Sequence, residues 1–142
     1  MQLLAVLALA STVWLGAASA QSNPVAESNA SCIERLQTPA YPKLADAARV
    51  SGTLTATITL APDGSIQNTV LEMGSRKSLF SKTVEEALRA STFRRSCAGK
   101  SVILVFHFVL ATEPDKNSLP QTISFGYPNQ FWISVPPQIV QP

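Results

Sequence analysis

Thr53-Leu54-Thr55-Ala56-Thr57-Ile58-Thr59-Leu60 alternates strictly, with threonine at every odd position and an apolar residue at every even one. That period of two is the pattern of a strand with one buried and one wet face. Pro62-Asp63-Gly64 follows with turn chemistry, proline presetting φ and glycine accepting a positive φ, and Ile66 to Met73 reads as the returning strand of a hairpin. Upstream, Pro42 suits the first position of a short helix over Lys43 to Val50, with Leu44 and Ala48 facing the core. Downstream, Phe80, Val84, Ala87 and Leu88 recur at helical spacing between Ser78 and Ala90, with Lys82, Glu85, Glu86 and Arg89 left for water. Ala98-Gly99 breaks the chain before Ser101 to Leu110, a run apolar on both faces, so this strand is covered on both sides or pairs with something. Helix, hairpin, helix, strand is an α+β layer with helices on one face of an antiparallel sheet.

The pieces outside this core are less regular. Residues 21–37 are polar and read as a flexible lead, and residues 111–120 form a linker holding Pro114 and Pro120. Thr122 to Tyr127 and Gln130 to Val135, flanking Pro128-Asn129, suggest a second, weaker hairpin at the end of the domain. A disordered tail is the competing reading, because prolines recur to the terminus. If the hairpin forms, it can fold back over the edge of the last core strand, which carries no Asp, Glu, Lys or Arg.

The N-terminus has the layout of an export signal. An apolar run from Leu3 to Ala18 ends in Ala18-Ser19-Ala20, the small-x-small pattern of signal peptidase sites, so residues 1–20 are expected to be removed. The alternative is an uncleaved inner-membrane anchor, for which the same run is just long enough. The expected location is periplasmic or secreted, with no membrane span if the signal is cleaved.

All charges lie beyond Ala20 and the net charge is only +2. A nucleic-acid surface needs a concentrated basic face. The dense pairs here, Arg76-Lys77 and Arg94-Arg95, read as solvated loop charges, and no nucleic-acid partner is expected. Cys32 and Cys97 are the two cysteines, and in an oxidising compartment they are expected to join. Such a bridge closes a loop of about 66 residues, for which chain entropy alone gives roughly 4 kcal/mol.

Catalytic chemistry is hard to place. His107 is the single imidazole, on a strand and directed away from the Leu104, Phe106, Phe108 and Leu110 face. Glu85 and Glu86 are adjacent on a helix and diverge, so they do not make a convergent acid pair. There is no Gly-x-Ser-x-Gly elbow, no phosphate-cradling glycine loop and no four-ligand metal set. The expectation is a domain with no enzymatic activity, no cofactor and no metal.

Taken in order, Tyr41-Pro42-Lys43-Leu44-Ala45, Val50-Ser51-Gly52-Thr53-Leu54, Asp63-Gly64-Ser65-Ile66-Gln67-Asn68 and Ser91-Thr92-Phe93 resemble the TonB C-terminal domain family, from about Pro39 to Leu110. The resemblance implies two helices on a three-stranded antiparallel sheet over residues 38–110, followed by a Pro-rich tail over 111–142. It also implies a protein partner, an outer-membrane transporter or another envelope protein, whose extended peptide is gripped along an exposed sheet edge. That edge would be the last core strand, presenting Ser101, Ile103, Val105, His107 and Val109.

Two departures matter. Energy transducers of this kind keep a membrane helix with a functional His and a long Pro-rich spacer, whereas Leu3 to Ala18 holds no His and the lead is short. Even fully stretched, that lead spans only about 60 Å. The family also favours an acidic residue where Phe80 follows Leu79. Two further readings stay open: a structural envelope component similar to the TolA C-terminal domain, and a secreted inhibitor of the cystatin kind, although the Gln-x-Val-x-Gly loop of cystatins is absent.

Overall fold

The computed structural model describes residues 29–72, 77–113 and 119–138. The expected signal segment lies outside these residues. A 3-10 turn over Asn29–Cys32 leads into β1 (Ile33–Arg35), α1 (Lys43–Ala47), β2 (Gly52–Leu60), β3 (Ile66–Glu72), α2 (Lys77–Arg89), β4 (Thr92–Phe93), β5 (Ser101–Leu110), β6 (Thr122–Gly126) and β7 (Gln130–Val135). No helix among the described residues is long and apolar enough to cross a membrane.

The alternation in β2 does what its pattern dictates. Leu54, Ala56, Ile58 and Leu60 are buried under the helices, and the threonines face the other way. β2 pairs antiparallel with β3 on one side and with β5 on the other, with Leu54 opposite Phe106 and Ile58 opposite Val102. Phe80, Val84 and Leu88 of α2 close the core from above, and Phe106 and Phe108 close it from below, all at 1% exposure or less. Tyr41, Phe80 and Phe108 form an aromatic cluster with ring centroids 4.6 to 6.0 Å apart.

Two expectations need correction and a third is met. The sheet is five-stranded and mixed, in the order β3-β2-β5-β7-β6, not three-stranded and antiparallel, because the chain returns after residue 118 and lays β7 parallel to β5. The C-terminal hairpin does form, with Thr122 opposite Ser134 and Phe125 opposite Phe131. The lead expected over residues 21–37 is folded from Asn29 on, since β1 pairs with β4 in a small second sheet and Cys32 is bonded to Cys97 beside it.

The first helix is a single turn and does not use the residues expected. Leu44 is 75% exposed and Ala45 is buried. Pro42 caps the helix from outside in extended geometry, and the anchor is Tyr41, whose hydroxyl donates to Val50 O at 2.6 Å. Burial first, and the Asp46 carboxylate second, push the Tyr41 phenol above its ordinary value, so it stays a neutral donor. The helix ends on Arg49, which adopts a left-handed φ of 50° that usually calls for glycine. Its guanidinium donates to Asp46 Oδ1 and to Pro136 O, both at 3.2 Å, so the strained residue also clasps the tail.

Candidate functional site

Ser101, Ile103, Val105, His107 and Val109 do share one face of β5, and that face is the helix-free side of the sheet. They do not lie on a free edge. From Val105 to Leu110 the outer backbone of β5 is paired with β7, from Gln130 to Val135. Val105 N donates to Asn129 O at 2.9 Å and Asn129 Nδ2 donates to Ile103 O at 3.0 Å, extending the cover toward the start of the strand. The expected edge is therefore interior, for the physical reason that an uncharged strand with an apolar inner face recruits the tail's own apolar strand. Phe131, Ile133 and Val135 are buried on the helix side of β7 and continue the core.

The helix-free face carries its own fastening. Thr53, His107, Trp132 and Ser124 stand in register across β2, β5, β7 and β6. His107 Nδ1 lies 3.0 Å from Thr53 Oγ1, and Nε2 lies 3.1 Å from Gln130 Oε1. A neutral imidazole satisfies both, accepting the threonine hydroxyl at Nδ1 and donating to the glutamine carbonyl from Nε2. The residue is thus a strap joining three strands.

With the β5 edge covered, the five-stranded sheet ends in β6 on one side and β3 on the other. The two ends differ. β6 is short and uncharged, with Ile123 and Phe125 about half exposed. β3 borders a cleft of about 1160 Å³ whose lining includes the consecutive residues Ile66 to Thr69 and, across from them, Thr92 to Arg95. Residues of both facings line it in each run, so one wall is the edge of β3 and the other is β4 with the turn that follows it.

Arg94 and Arg95, read from the sequence as solvated loop charges, are exposed and also line this cleft. What hid them was β1, whose three residues carry no alternation long enough to recognise as a strand. Glu85 and Arg89 of α2 are paired at 3.9 Å, and Glu86 pairs with Lys82 instead, confirming that the two adjacent glutamates diverge. At the turn end of the cleft, Ser65 N and Ser65 Oγ donate to Asp63 Oδ1 at 2.9 and 2.6 Å. These bonds, the side-chain one first, hold the Asp63 carboxyl below its ordinary value.

Residues 37–110 match the family described as Gram-negative bacterial TonB protein C-terminal. Protein TonB of Klebsiella pneumoniae is 30% identical over 93 residues, which cover 66% of this chain and 38% of that relative. The similarity therefore spans well under half of the relative's length.

Proposed function

Because the chain belongs to the TonB C-terminal family, we propose that it is a protein-binding module of the bacterial envelope that takes up an extended segment of a partner by strand addition to its sheet. The partner class is an outer-membrane transporter or another envelope protein. One observation carries the reading: the sheet already accepts an added strand, β7, from a segment that follows a linker, and it seats that strand in parallel over six residue pairs. A sheet with this property and two further unpaired ends is built for main-chain recognition, in which backbone groups supply affinity and alternating side chains supply selectivity.

The test is a pull-down by the chain purified from the periplasm of an expressing bacterium. One arm offers synthetic N-terminal segments of outer-membrane transporters, the other offers purified envelope-tether proteins of the kind TolA domains serve. Saturable retention of transporter segments, lost when a proline interrupts them, is the expected result. Retention of the tether proteins alone would replace this reading with the structural one.

A further inference from the structure

The cleft beside β3 lies between two strands that are each paired on one side. β3 bonds to β2 alone, and β4 bonds to β1 alone. Even beyond β4 the chain stays tied to that far side, since Arg94 N donates to Cys32 O at 2.9 Å. The disulfide between Cys32 and Cys97 brackets this segment and fixes the wall in place. On the opposite wall the Arg94 and Arg95 carbonyls accept from Cys97 N and Ala98 N. The row of unpaired backbone groups therefore belongs to β3, and such a row matches one kind of ligand, another extended backbone.

The charges narrow the choice. Six ionisable residues line the cleft: Glu34, Asp63, Glu85, Arg89, Arg94 and Arg95. Glu85 and Arg89 answer each other. Asp63 is exposed in the turn, accepts both bonds from Ser65, and feels the charge of Arg95 as well. Arg94 and Arg95 are exposed and make no ion pair within 4 Å among the described residues, although Asp63 faces Arg95 at longer range and Glu34 also lines the cleft. Arg94 gives Nε to Ile33 O at 3.5 Å, a long bond that leaves the rest of its guanidinium fork for a carboxylate.

We propose that this cleft is a binding site for an extended polypeptide segment of a partner protein, laid between β3 and β4 and carrying an acidic side chain to Arg94 and Arg95. The proposal rests on the strand-addition reading above and names the edge and the ligand chemistry for it. The occupant pairs with the small sheet and with the main one, which no described strand does.

The experiment uses the same periplasm-purified chain, isotope-labelled, with two ten-residue probes: a Thr/Val-alternating peptide with one terminal Glu, and its counterpart with Lys in place of Glu. The expected result is amide shift changes concentrated at residues 66–69 and 92–95, with the Glu peptide binding at least about tenfold more tightly. That tenfold is about 1.4 kcal/mol, within reach of one charge-assisted pair. Combined Arg94→Glu and Arg95→Glu substitution reverses the preference while the thermal midpoint stays put, because both side chains are exposed. Peptide binding that maps to β6, or to β5 with β7 displaced, overturns the cleft and leaves the strand-addition reading standing. Absence of any shift at millimolar peptide overturns both.

Discussion

The imidazole of His107 stacks on the indole of Trp132, ring centroids 4.9 Å apart and planes 16° from parallel. The pair links β5 of the family-like core to β7 of the tail on the face that no helix covers. Aromatic pairs contribute about 0.5 to 1.5 kcal/mol beyond their buried area. A double-mutant cycle of His107→Ala and Trp132→Ala, followed by urea unfolding, is expected to show coupling of that size. Additivity within about 0.3 kcal/mol would mean that the stack is geometry without energy.

Gly126 lies beneath the same indole. A Cβ placed there would meet Trp132 Cζ3 and come within 2.6 Å of Cη2. Since His107 blocks the indole on the other side, the ring cannot simply slide away. Gly126→Ala is expected to cost about 1 to 3 kcal/mol by overpacking, and Trp132→Ala in the same chain should abolish that cost. A Gly126→Ala cost unchanged by removing the ring would place the strain in the backbone instead.

Phe106 and His107 are neighbours with opposite facings, and their substitution should separate core from surface. Phe106 is fully buried and packs on Phe131 with centroids 5.6 Å apart. Phe106→Ala is expected to cost about 3 to 5 kcal/mol, and His107→Ala a small part of that. Equal losses in chemical denaturation would contradict the observed facing.

Asp63 supplies a pH dependence with a definite sign. Its folded carboxyl is held below the ordinary value by the bonds from Ser65, so ionisation favours the folded state. That stabilisation is present above the unfolded pKa and is lost as pH falls through the depressed folded one. Carboxyl-detected NMR titration should place the Asp63 midpoint below that of an unfolded-chain Asp, and Ser65→Ala should move it upward. A midpoint indifferent to Ser65 would assign the shift to another cause.

The sequence announced some of this and could not announce the rest. Thr53 to Leu60 is readable because strand alternation is a local property, and so is the helical spacing of Phe80, Val84 and Leu88. The bond between Cys32 and Cys97 was legible because only two cysteines exist. Leu44 misled because a single turn anchored by Tyr41 owes its orientation to that tyrosine's contacts, not to a helical stripe. The site was the hardest part: whether β5 is an edge depends on where Phe131 and Ile133 end up. That is a non-local fact, decided by packing across a linker.

The disulfide joins Cys32, just before β1, to Cys97, beyond β4, across a sequence separation of 65 residues. Cys32→Ser with Cys97→Ser is expected to lower stability by about 2 to 5 kcal/mol. The sharper expectation is local, since β1 and β4 share only two register pairs. Hydrogen exchange at Phe93 and Arg94 should accelerate more than exchange in β2. Uniform acceleration would show that the bridge stabilises the whole chain and not this wall of the cleft.

Truncation after Thr112 tests what the tail does. It removes β6 and β7, uncovers β5 from Val105 to Leu110, and strips Phe131, Ile133 and Val135 from the core. It also removes Gln121, whose Oε1 accepts from Tyr41 N at 2.7 Å, and Pro136, whose carbonyl accepts from Arg49. Each of the three buried side chains contributes about 1.5 to 3 kcal/mol by burial, against the entropy of ordering the segment. The net loss should be a few kcal/mol out of the 5 to 15 or so that a domain of this kind possesses. The bared strand holds no Asp, Glu, Lys or Arg, so edge-to-edge association should follow. Sedimentation of the truncated chain is expected to show concentration-dependent dimers that the full chain does not form under the same conditions. A truncated chain that stays monomeric, with unchanged unfolding free energy, would mean that the hairpin decorates the sheet without stabilising it, and that β5 protects its own edge.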